Sequence, residues 1–236
     1  MCGKFTAMAS WENVVDWSDA FTTTKGVGEN DQPVGFKVMS QLRIIIWDQE
    51  EKRRKVIPMR WGFPRRRNWR SPDPIHARSE TIDSKPTFAK AFKNAQRGIL
   101  LVKTFNEGKQ VAPKVTEQCT IKLGDDPAGA IAMLYERFEI PELPAPLWAC
   151  VMVTVEANDL IRTLTTEHAE SDRMPAFLAK DDWSTWLGEN DATPDQAKAC
   201  LHTVEGIHWT MSKEERAASK AKKRGKPTVS DPKGLF

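Results

Sequence analysis

Residues 42–48 read LRIIIWD, a short apolar run that is rich in β-branched side chains. Such a run is typical of a strand buried in a sheet. The charged residues 49–52 (QEEK) predict a turn, and residues 55–61 (KVIPMRW) predict the strand that returns from it. This strand, turn and strand sequence indicates a fold in which neighbouring strands carry much of the core.

The rest of the chain contains more short strands and a few helices. There is no regular alternation of strands and helices, which disfavours a doubly wound parallel sheet and favours a mixed α+β fold. Further strands are predicted at residues 98–104 (GILLVKT), 130–135 (AIAMLY) and 150–155 (CVMVTV), and helices at 9–21, 88–96, 181–187 and from 193 to about 202.

Composition indicates a single folded domain followed by a tail. The chain has 236 residues, 40% of them hydrophobic, with nine Trp and ten Phe, which is enough for one substantial core. The net charge is only +3, so the location of the charges says more about partners than their sum does. We predict one domain over residues 1–211 and a basic, flexible tail over 212–236, where Lys, Arg, Ala and Ser predominate.

The cysteines and the hydropathy pattern indicate a soluble protein of a reducing cytoplasm. The four cysteines form no CxxC pair and do not cluster with the four histidines, so a metal site or a disulfide framework is poorly supported. No apolar run approaches the roughly 20 residues that a membrane span requires. We therefore expect no metal, no cofactor and no membrane contact.

Cys2 directly follows the initiator methionine. If Met1 is removed, the chain begins with an amine and a thiol on one residue, and both groups are partly nucleophilic near neutral pH. An aldehyde can condense with such a pair, since the amine forms a Schiff base and the thiolate then closes a five-membered thiazolidine. The alternative is that Cys2 is an ordinary second residue.

Residues 52–78 combine positive charge with aromatic side chains. Arginines suit phosphates, and aromatic rings suit unstacked bases, so the stretch is typical of a groove for single-stranded nucleic acid. A solvated hairpin and loop would show the same composition. The candidates include Arg60, Arg65, Arg66, Arg67, Arg70 and Arg78, with Trp61, Phe63 and Trp69 among them.

Several polar residues are candidates for proton transfer. His76, Arg78 and Glu80 alternate along the chain, which would place them on one face of an extended segment. Glu107 follows the apolar run 98–104, and a carboxylate at the end of a buried strand could have a raised pKa and act as an acid or base. His168 lies in a polar stretch before Arg173. Each candidate also has a purely structural interpretation. The alternating residues could form an exposed strand face, Glu107 could be a turn residue, and His168 could be a surface histidine.

Taken in order, these motifs resemble the SOS-response-associated peptidase (SRAP) family. Residues 1–5 (MCGKF) are similar to the N-terminus of the family's members, and RWGF at residues 60–63 contains the family's Trp-Gly pair. Its Asn-Ala-Arg-x-Glu-Thr resembles HARSET at 76–81, and its Phe-Tyr-Glu-Trp resembles FNE at 105–107. The Ala-Asn pair at 157–158 and Arg-Met-Pro at 173–175 complete the pattern over residues 2 to about 187.

The resemblance implies an α+β fold with a twisted, barrel-like antiparallel β core and a few flanking helices. It also implies a protein that binds single-stranded DNA, removes its own Met1, and crosslinks covalently to abasic sites, with lyase activity at those sites. Cys2 would then be the nucleophile, Glu107 would relay protons, and His168 would act as general acid/base. Lys4, Arg78 and the Arg60–Arg70 region would bind phosphates, while Trp61 and Trp69 would stack or wedge. We expect a monomer in the cytoplasm, associated with the nucleoid.

The sequence departs from the family at three places. His76 stands where the family has Asn. Ser171 stands two residues before Arg173, where the family usually has its histidine. Residues 30–33 (NDQP) retain only the Asn and Pro of the family's Asn-x-Ala-Pro motif. The imidazole could therefore come from His168 or from His76. Two other functions stay open: a peptidase that acts on other proteins through Cys2, and a single-strand binder without chemistry.

Overall fold

The structure is a computed structural model that describes residues 4–7, 14, 18–20, 35–65, 68–124 and 128–214. Strands predominate in these residues, as predicted, and short helices flank them. The strands are β1 (Lys4–Ala7), β2 (Gly35–Lys37), β3 (Gln41–Asp48), β4 (Arg53–Trp61), β5 (Pro64–Arg65), β6 (Asn68–Pro72), β7 (His76–Arg78), β8 (Arg97–Ala112), β9 (Val115–Lys122), β10 (Gly129–Phe138), β11 (Leu147–Glu156), β12 (Arg173–Pro175) and β13 (Thr210–Lys213).

The predicted strand, turn and returning strand at residues 42–61 form the antiparallel hairpin β3–β4. Residues pair in continuous register, with Ile45 opposite Val56. Asp48 shapes the turn because its Oδ1 accepts hydrogen bonds from the backbone N–H groups of Glu50 and Glu51, both at 2.9 Å. The apolar run was therefore a reliable indicator of a core strand.

Five strands close into a ring, so the core is barrel-like without being a regular barrel. The order is β3–β4–β11–β10–β8, and β8 pairs again with β3. Most of these pairs are antiparallel, but β11 runs parallel to β4 and also to β7. Around the ring, β1 and β9 pair with β8, β2 pairs with β1, β12 with β11, and β13 with β9.

The helices are short. They are α1 (Pro86–Lys93), α2 (Asp159–Arg162), α3 (Trp183–Leu187) and α4 (Pro194–Ala199), with 3₁₀ turns at Ser79–Thr81 and Lys180–Asp182. The helix predicted at 88–96 ends earlier, and Ala95 has a positive φ of 55°. The helix predicted to reach about residue 202 ends at Ala199. The one predicted at 9–21 lies mostly outside the described residues, although Val14 and Ser18 are helical.

Strand β13 (Thr210–Lys213) spans residue 211, the predicted end of the domain. Strand β13 continues to Lys213, whose Nζ lies 2.5 Å from a carboxylate oxygen of Glu117 on β9. Most of the tail predicted at 212–236 lies outside the described residues. In the part of the chain that the structure describes, no helix is long and apolar enough to cross a membrane.

Candidate active site

Glu107 lies in the middle of the long strand β8, opposite Cys119 of β9. The prediction that it follows the end of a buried strand was therefore wrong, because the strand extends to Ala112. Its side chain is buried, with only 1% of the residue exposed. Burial raises the pKa of the Glu107 carboxyl group above its ordinary value, although a hydrogen bond from the Gly108 N–H acts in the opposite direction. A buried carboxyl group with a raised pKa is a candidate acid or base.

Strand β1 brings the start of the chain to the Glu107 strand. Lys4 is paired with Asn106, and Phe5 with Phe105. Cys2 lies outside the described residues, as do Arg66 and Arg67. The described structure therefore places Lys4, two residues after Cys2 in sequence, beside the residue that precedes Glu107.

The three cysteines in the described residues are poor candidates for a nucleophile. Cys119, Cys150 and Cys200 are all buried and form no disulfide. Burial raises the pKa of each of these thiols, which disfavours the reactive thiolate. Cys2 lies outside the described residues, so these arguments from burial and pKa do not apply to it.

A cleft of about 700 Å³ lies beside the Glu107 strand. Glu214, one of its lining residues, accepts a hydrogen bond from the buried Asn106 at 2.7 Å, and Asn106 also donates to Thr120 at 2.8 Å, which ties β8 to β9 and to the residue after β13. The space is large enough for part of a nucleotide. It is lined by Lys37, Val38, Gly108, Gln110, Thr116, Gln118, Ala169, Glu170, Ser171 and Glu214.

His76 is connected to β1 through buried aromatic rings. It lies on β7, and its ring centroid is 6.4 Å from that of Trp61 in an edge-on arrangement. The Trp61 ring is in turn 5.0 Å from Phe5, and its indole N–H donates to the Ile75 carbonyl at 3.2 Å. His76 therefore contacts Trp61, and Trp61 in turn contacts Phe5 on β1.

His168 lies instead on an exposed loop. Its side chain is 26% exposed, and its Nε2 is 3.5 Å from a carboxylate oxygen of Glu167. The loop is attached to the Glu107 strand by Thr166, whose hydroxyl donates to the Gln110 carbonyl at 2.6 Å. Ser171, which occupies the register of the family's histidine, is buried and lines the cleft.

The predicted common face of His76, Arg78 and Glu80 is only partly present. His76 and Arg78 lie on β7, but Glu80 belongs to the 3₁₀ turn that follows. Glu80 instead accepts two hydrogen bonds from the guanidinium group of Arg173, and this contact lowers the pKa of Glu80. Arg173 is 93 residues away in sequence and also donates to the Thr154 carbonyl at 2.6 Å.

Strand β11 explains this unpredicted pair. It pairs with β7 at residues 152–154 and with β12 at residues 154–156, so Arg78, opposite Thr154, and Arg173, opposite Glu156, lie on two strands that both pair with β11. The Arg173 side chain is 7% exposed, and that of Glu80 is 47% exposed. A cleft of about 450 Å³ adjoins the pair and is lined by Arg78, Glu80, Thr81, Glu156, Arg162, Asp172 and Arg173.

Two of the predicted DNA contacts are inside the protein. Trp61 is fully buried, and Arg60 is 4% exposed. The Arg60 guanidinium group donates to the carbonyls of Gly62, at 3.1 and 3.3 Å, and of Trp69, at 2.8 Å. These contacts hold the β5–β6 hairpin against β4, so Arg60 and Trp61 are structural residues and the prediction that they face DNA is corrected.

The other basic candidates that the structure describes are exposed. Arg65 forms a 3.0 Å ion pair with Asp73, and the Arg70 guanidinium lies 4.4 Å from the centre of the half-buried Trp69 ring. Arg78 is exposed at the end of β7. Lys4 lies on β1, but its side chain is outside the described part of the structure.

Comparisons with known proteins agree with this architecture. A family model described as SOS response associated peptidase (SRAP) matches residues 1–217. The abasic site processing protein YoqW of Bacillus subtilis (strain 168) is 27% identical over 212 residues, which cover 87% of this chain and 88% of YoqW. The abasic site processing protein YoaM of the same organism is 26% identical over 208 residues, covering 85% of each chain.

Solved structures show the same fold at low sequence identity. A crystal structure of a protein from Bacteroides thetaiotaomicron has a TM-score of 0.76 at 17% identity and covers 91% of this chain and 93% of its own. One from Bordetella bronchiseptica has a TM-score of 0.73 at 19% identity, covering 91% of this chain and 100% of its own.

Proposed function

Because the chain belongs to the SOS response associated peptidase (SRAP) family, we propose that it processes abasic sites in DNA. More specifically, the mature protein binds single-stranded DNA and forms a covalent thiazolidine through Cys2 after Met1 is removed. The observation that carries this proposal is the pairing of β1 with β8, in which Lys4 lies opposite Asn106, the residue before the buried Glu107.

The proposed reaction joins the Cys2 amine and thiol to the aldehyde of an open abasic sugar. The amine attacks the aldehyde carbon and gives a carbinolamine, which loses one water to become an imine. The thiolate then adds to the imine carbon, the imine nitrogen takes a proton, and the ring closes. The net change is the loss of one water, with no oxidant, reductant or cofactor.

Glu107 is suited to the proton transfers in this sequence. The amine must be neutral to attack, and the departing water needs a proton, so a single group that accepts and then returns a proton serves both steps. Burial favours the neutral carboxylic acid, while a hydrogen bond from the Gly108 N–H favours the carboxylate. The fold therefore contains one influence in favour of each protonation state of Glu107.

An imidazole would assist at the sugar hydroxyl or the imine, and His76 is the better placed of the two candidates. It is held on a strand of the sheet and linked through Trp61 to Phe5 of β1. Groups on strands are positioned more precisely than groups on loops. His168 lies on an exposed loop beside Glu167 and is the alternative.

Single-stranded DNA would bind through exposed guanidinium groups and one aromatic ring. Arg65, Arg70 and Arg78 are exposed and can meet phosphates, and Trp69 can stack on a base. Lys4, Arg66 and Arg67 belong to the same proposed set on the basis of the sequence. Binding would weaken with added salt, because each phosphate contact releases counterions.

The decisive experiment incubates the protein with single-stranded DNA that carries one abasic site and resolves the products on a denaturing gel. We expect a heat-stable adduct that disappears in Cys2→Ala. Cys200→Ala is the matched control, since it also removes one cysteine, and it should crosslink like the wild type. An adduct that persists in Cys2→Ala would refute the mechanism.

The same experiment separates the alternative functions. Salt-sensitive binding to DNA without any covalent product would indicate a non-catalytic single-strand binder. Turnover of added peptides that depends on Cys2 and is unaffected by substitution of Arg65 would indicate a peptidase that acts in trans. Strand cleavage at the abasic site, followed on the same gel, measures the proposed lyase activity. Intact mass of the unreacted protein reports whether Met1 has been removed.

A further inference from the structure

The cleft of about 700 Å³ beside the Glu107 strand has its floor on the β8–β9 hairpin. Two cross-strand pairs lie there, Gly108 opposite Gln118 and Gln110 opposite Thr116. A side chain at position 108 is excluded, because its Cβ atom would lie 2.6 Å from the Cγ2 atom of Thr116. The amide nitrogen of Gln118 lies 3.3 Å from the same Cβ position. The floor of the cleft therefore stays low, with an amide group directly beside it.

Glu214 lines this cleft with a carboxylate that is held in place. Its Oε1 atom accepts hydrogen bonds from the side chains of Asn106, at 2.7 Å, and Thr120, at 3.2 Å. Asn106 is only 2% exposed and also donates to the Thr120 hydroxyl at 2.8 Å. The backbone N–H of Glu214 donates to the Gln118 carbonyl at 2.8 Å. Contacts to β8 and β9 therefore fix the position of a group that has about four acceptor sites on its two oxygens.

The lining of the cleft offers hydrogen-bond donors and acceptors together. Lys37 is a donor, Glu170 and Glu214 are acceptors, and the amides of Gln110 and Gln118 are both. A simple anion or cation would meet groups of its own charge sign in this lining. A nucleobase edge instead carries donors and acceptors side by side, and proteins recognise single-stranded nucleic acids through such edges. The volume of the cleft is also within the usual range for small-molecule sites.

We propose that the cleft binds the base of one nucleotide in the DNA strand, and that Glu214 selects bases with an exocyclic amino group. The proposal rests on the proposed function for the identity of the strand. Gly108 directly follows Glu107, so this base lies near the proposed reaction centre. Adenine, cytosine and guanine can each donate an amino hydrogen to the carboxylate. Thymine and uracil have carbonyl oxygens on both sides of their N3–H, and these would face the negative charge of Glu214.

The test compares two intact single-stranded oligonucleotides of equal length, one with deoxycytidine and the other with deoxyuridine at every position. Cytosine has an amino group where uracil has a carbonyl, so the two strands have the same backbone charge and nearly the same size. Fluorescence anisotropy at one fixed salt concentration gives both affinities for the full chain. We expect the wild type to bind the cytosine strand about tenfold more tightly, which is typical of one well-placed base contact.

A matched pair of variants separates base selection from general electrostatics. In Glu214→Gln, the amide oxygen can still accept from Asn106 and Thr120, but the amide can also donate to a carbonyl, so the two affinities should become nearly equal. Glu117→Gln removes the same charge from β9, where Glu117 forms an ion pair with Lys213 outside the cleft lining. This control should keep the tenfold ratio of the wild type. Each ratio compares the same two strands, so differences in strand stiffness cancel between variants.

Equal affinities of the wild type for the two strands, or a ratio that Glu214→Gln leaves unchanged, would overturn the proposal. A ratio that both variants lower equally would also overturn it, since the effect would then come from general charge. Intact DNA contains no aldehyde, so failure of the wild type to crosslink abasic DNA would refute the proposed function and leave the base preference in place. Binding to neither strand would refute both.

Discussion

Replacing Glu107 by Gln should slow crosslinking and stabilise the fold at the same time. Gln has nearly the same size and keeps an oxygen that can accept the hydrogen bond from the Gly108 N–H, which is 3.2 Å long in the wild type. The substitution therefore removes the proton-transfer group with little change in packing. Because the residue is only 1% exposed, it also removes a buried ionisable group.

The size of the kinetic effect follows from the proposed role. Loss of a general acid/base costs about 10²- to 10⁴-fold in rate. That range corresponds to about 2.7–5.5 kcal/mol in the activation barrier. The single-turnover rate of adduct formation, followed on denaturing gels at saturating protein, measures it directly. Glu136→Gln on β10 is the control, since it makes the same chemical change at a half-buried position, and its rate should match the wild type.

The stability effect has the opposite sign and depends on pH. The pKa of Glu107 is raised in the folded state, so the folded protein binds this proton more tightly than the unfolded chain does. The contribution of Glu107 to stability is therefore lost as pH rises through its folded pKa. At pH 7–8 we expect Glu107→Gln to be more stable than the wild type by about 1 kcal/mol, or about 2–4 °C in Tm, and the difference should shrink near pH 4.

Two results would refute this reasoning. A crosslinking rate of Glu107→Gln within threefold of the wild type would exclude Glu107 from proton transfer. A variant that is less stable than the wild type at pH 7–8, measured by thermal unfolding, would show that the ionised carboxylate is a net stabilising group in the fold.

Two further predictions concern the Arg-Met-Pro motif and the imidazole. Glu80→Ala should lower the free energy of unfolding by about 1 kcal/mol, because Arg173 is 7% exposed and would lose its carboxylate partner, while solvent screens the 47% exposed Glu80; an unchanged free energy of unfolding in urea would contradict this. His76→Ala should slow single-turnover crosslinking by about 100-fold or more, and His168→Ala by less than about tenfold. The reverse order of these two rates would assign the role to His168.

Local sequence patterns predicted the central strands because their physical cause is local. The β-branched run at 42–48 and the Asp48 turn specify the β3–β4 hairpin without help from the rest of the chain. The motif order likewise indicated the family and the barrel-like core, which the family match and the solved structures confirm. Short-range strand pairing is enough to predict the hairpin, and a recognisable series of motifs is enough to predict the family.

The position of Glu107 depends on contacts far away in sequence. The residues around it, Asn106 and Gly108, have low strand propensity, and the strand continues there because β1 pairs on one side and β9 on the other. The pairing of Glu80 with Arg173 likewise depends on β11, which joins segments 93 residues apart. No periodicity in the sequence carries that information.

Arg60 shows a different limit of sequence reasoning. Its basic neighbours predicted a surface position, yet the guanidinium group is buried against the carbonyls of Gly62 and Trp69. An arginine can be buried when its donors find such acceptors, and only the tertiary structure reveals them.

The most direct test of the central claim is the intact mass of the adduct between the wild-type protein and single-stranded DNA that carries one abasic site. We predict the mass of the chain without Met1 plus that of the DNA, less one water, and no such species for Cys2→Ala. An adduct that retains Met1, or one that attaches to a residue other than Cys2, would contradict the proposed chemistry.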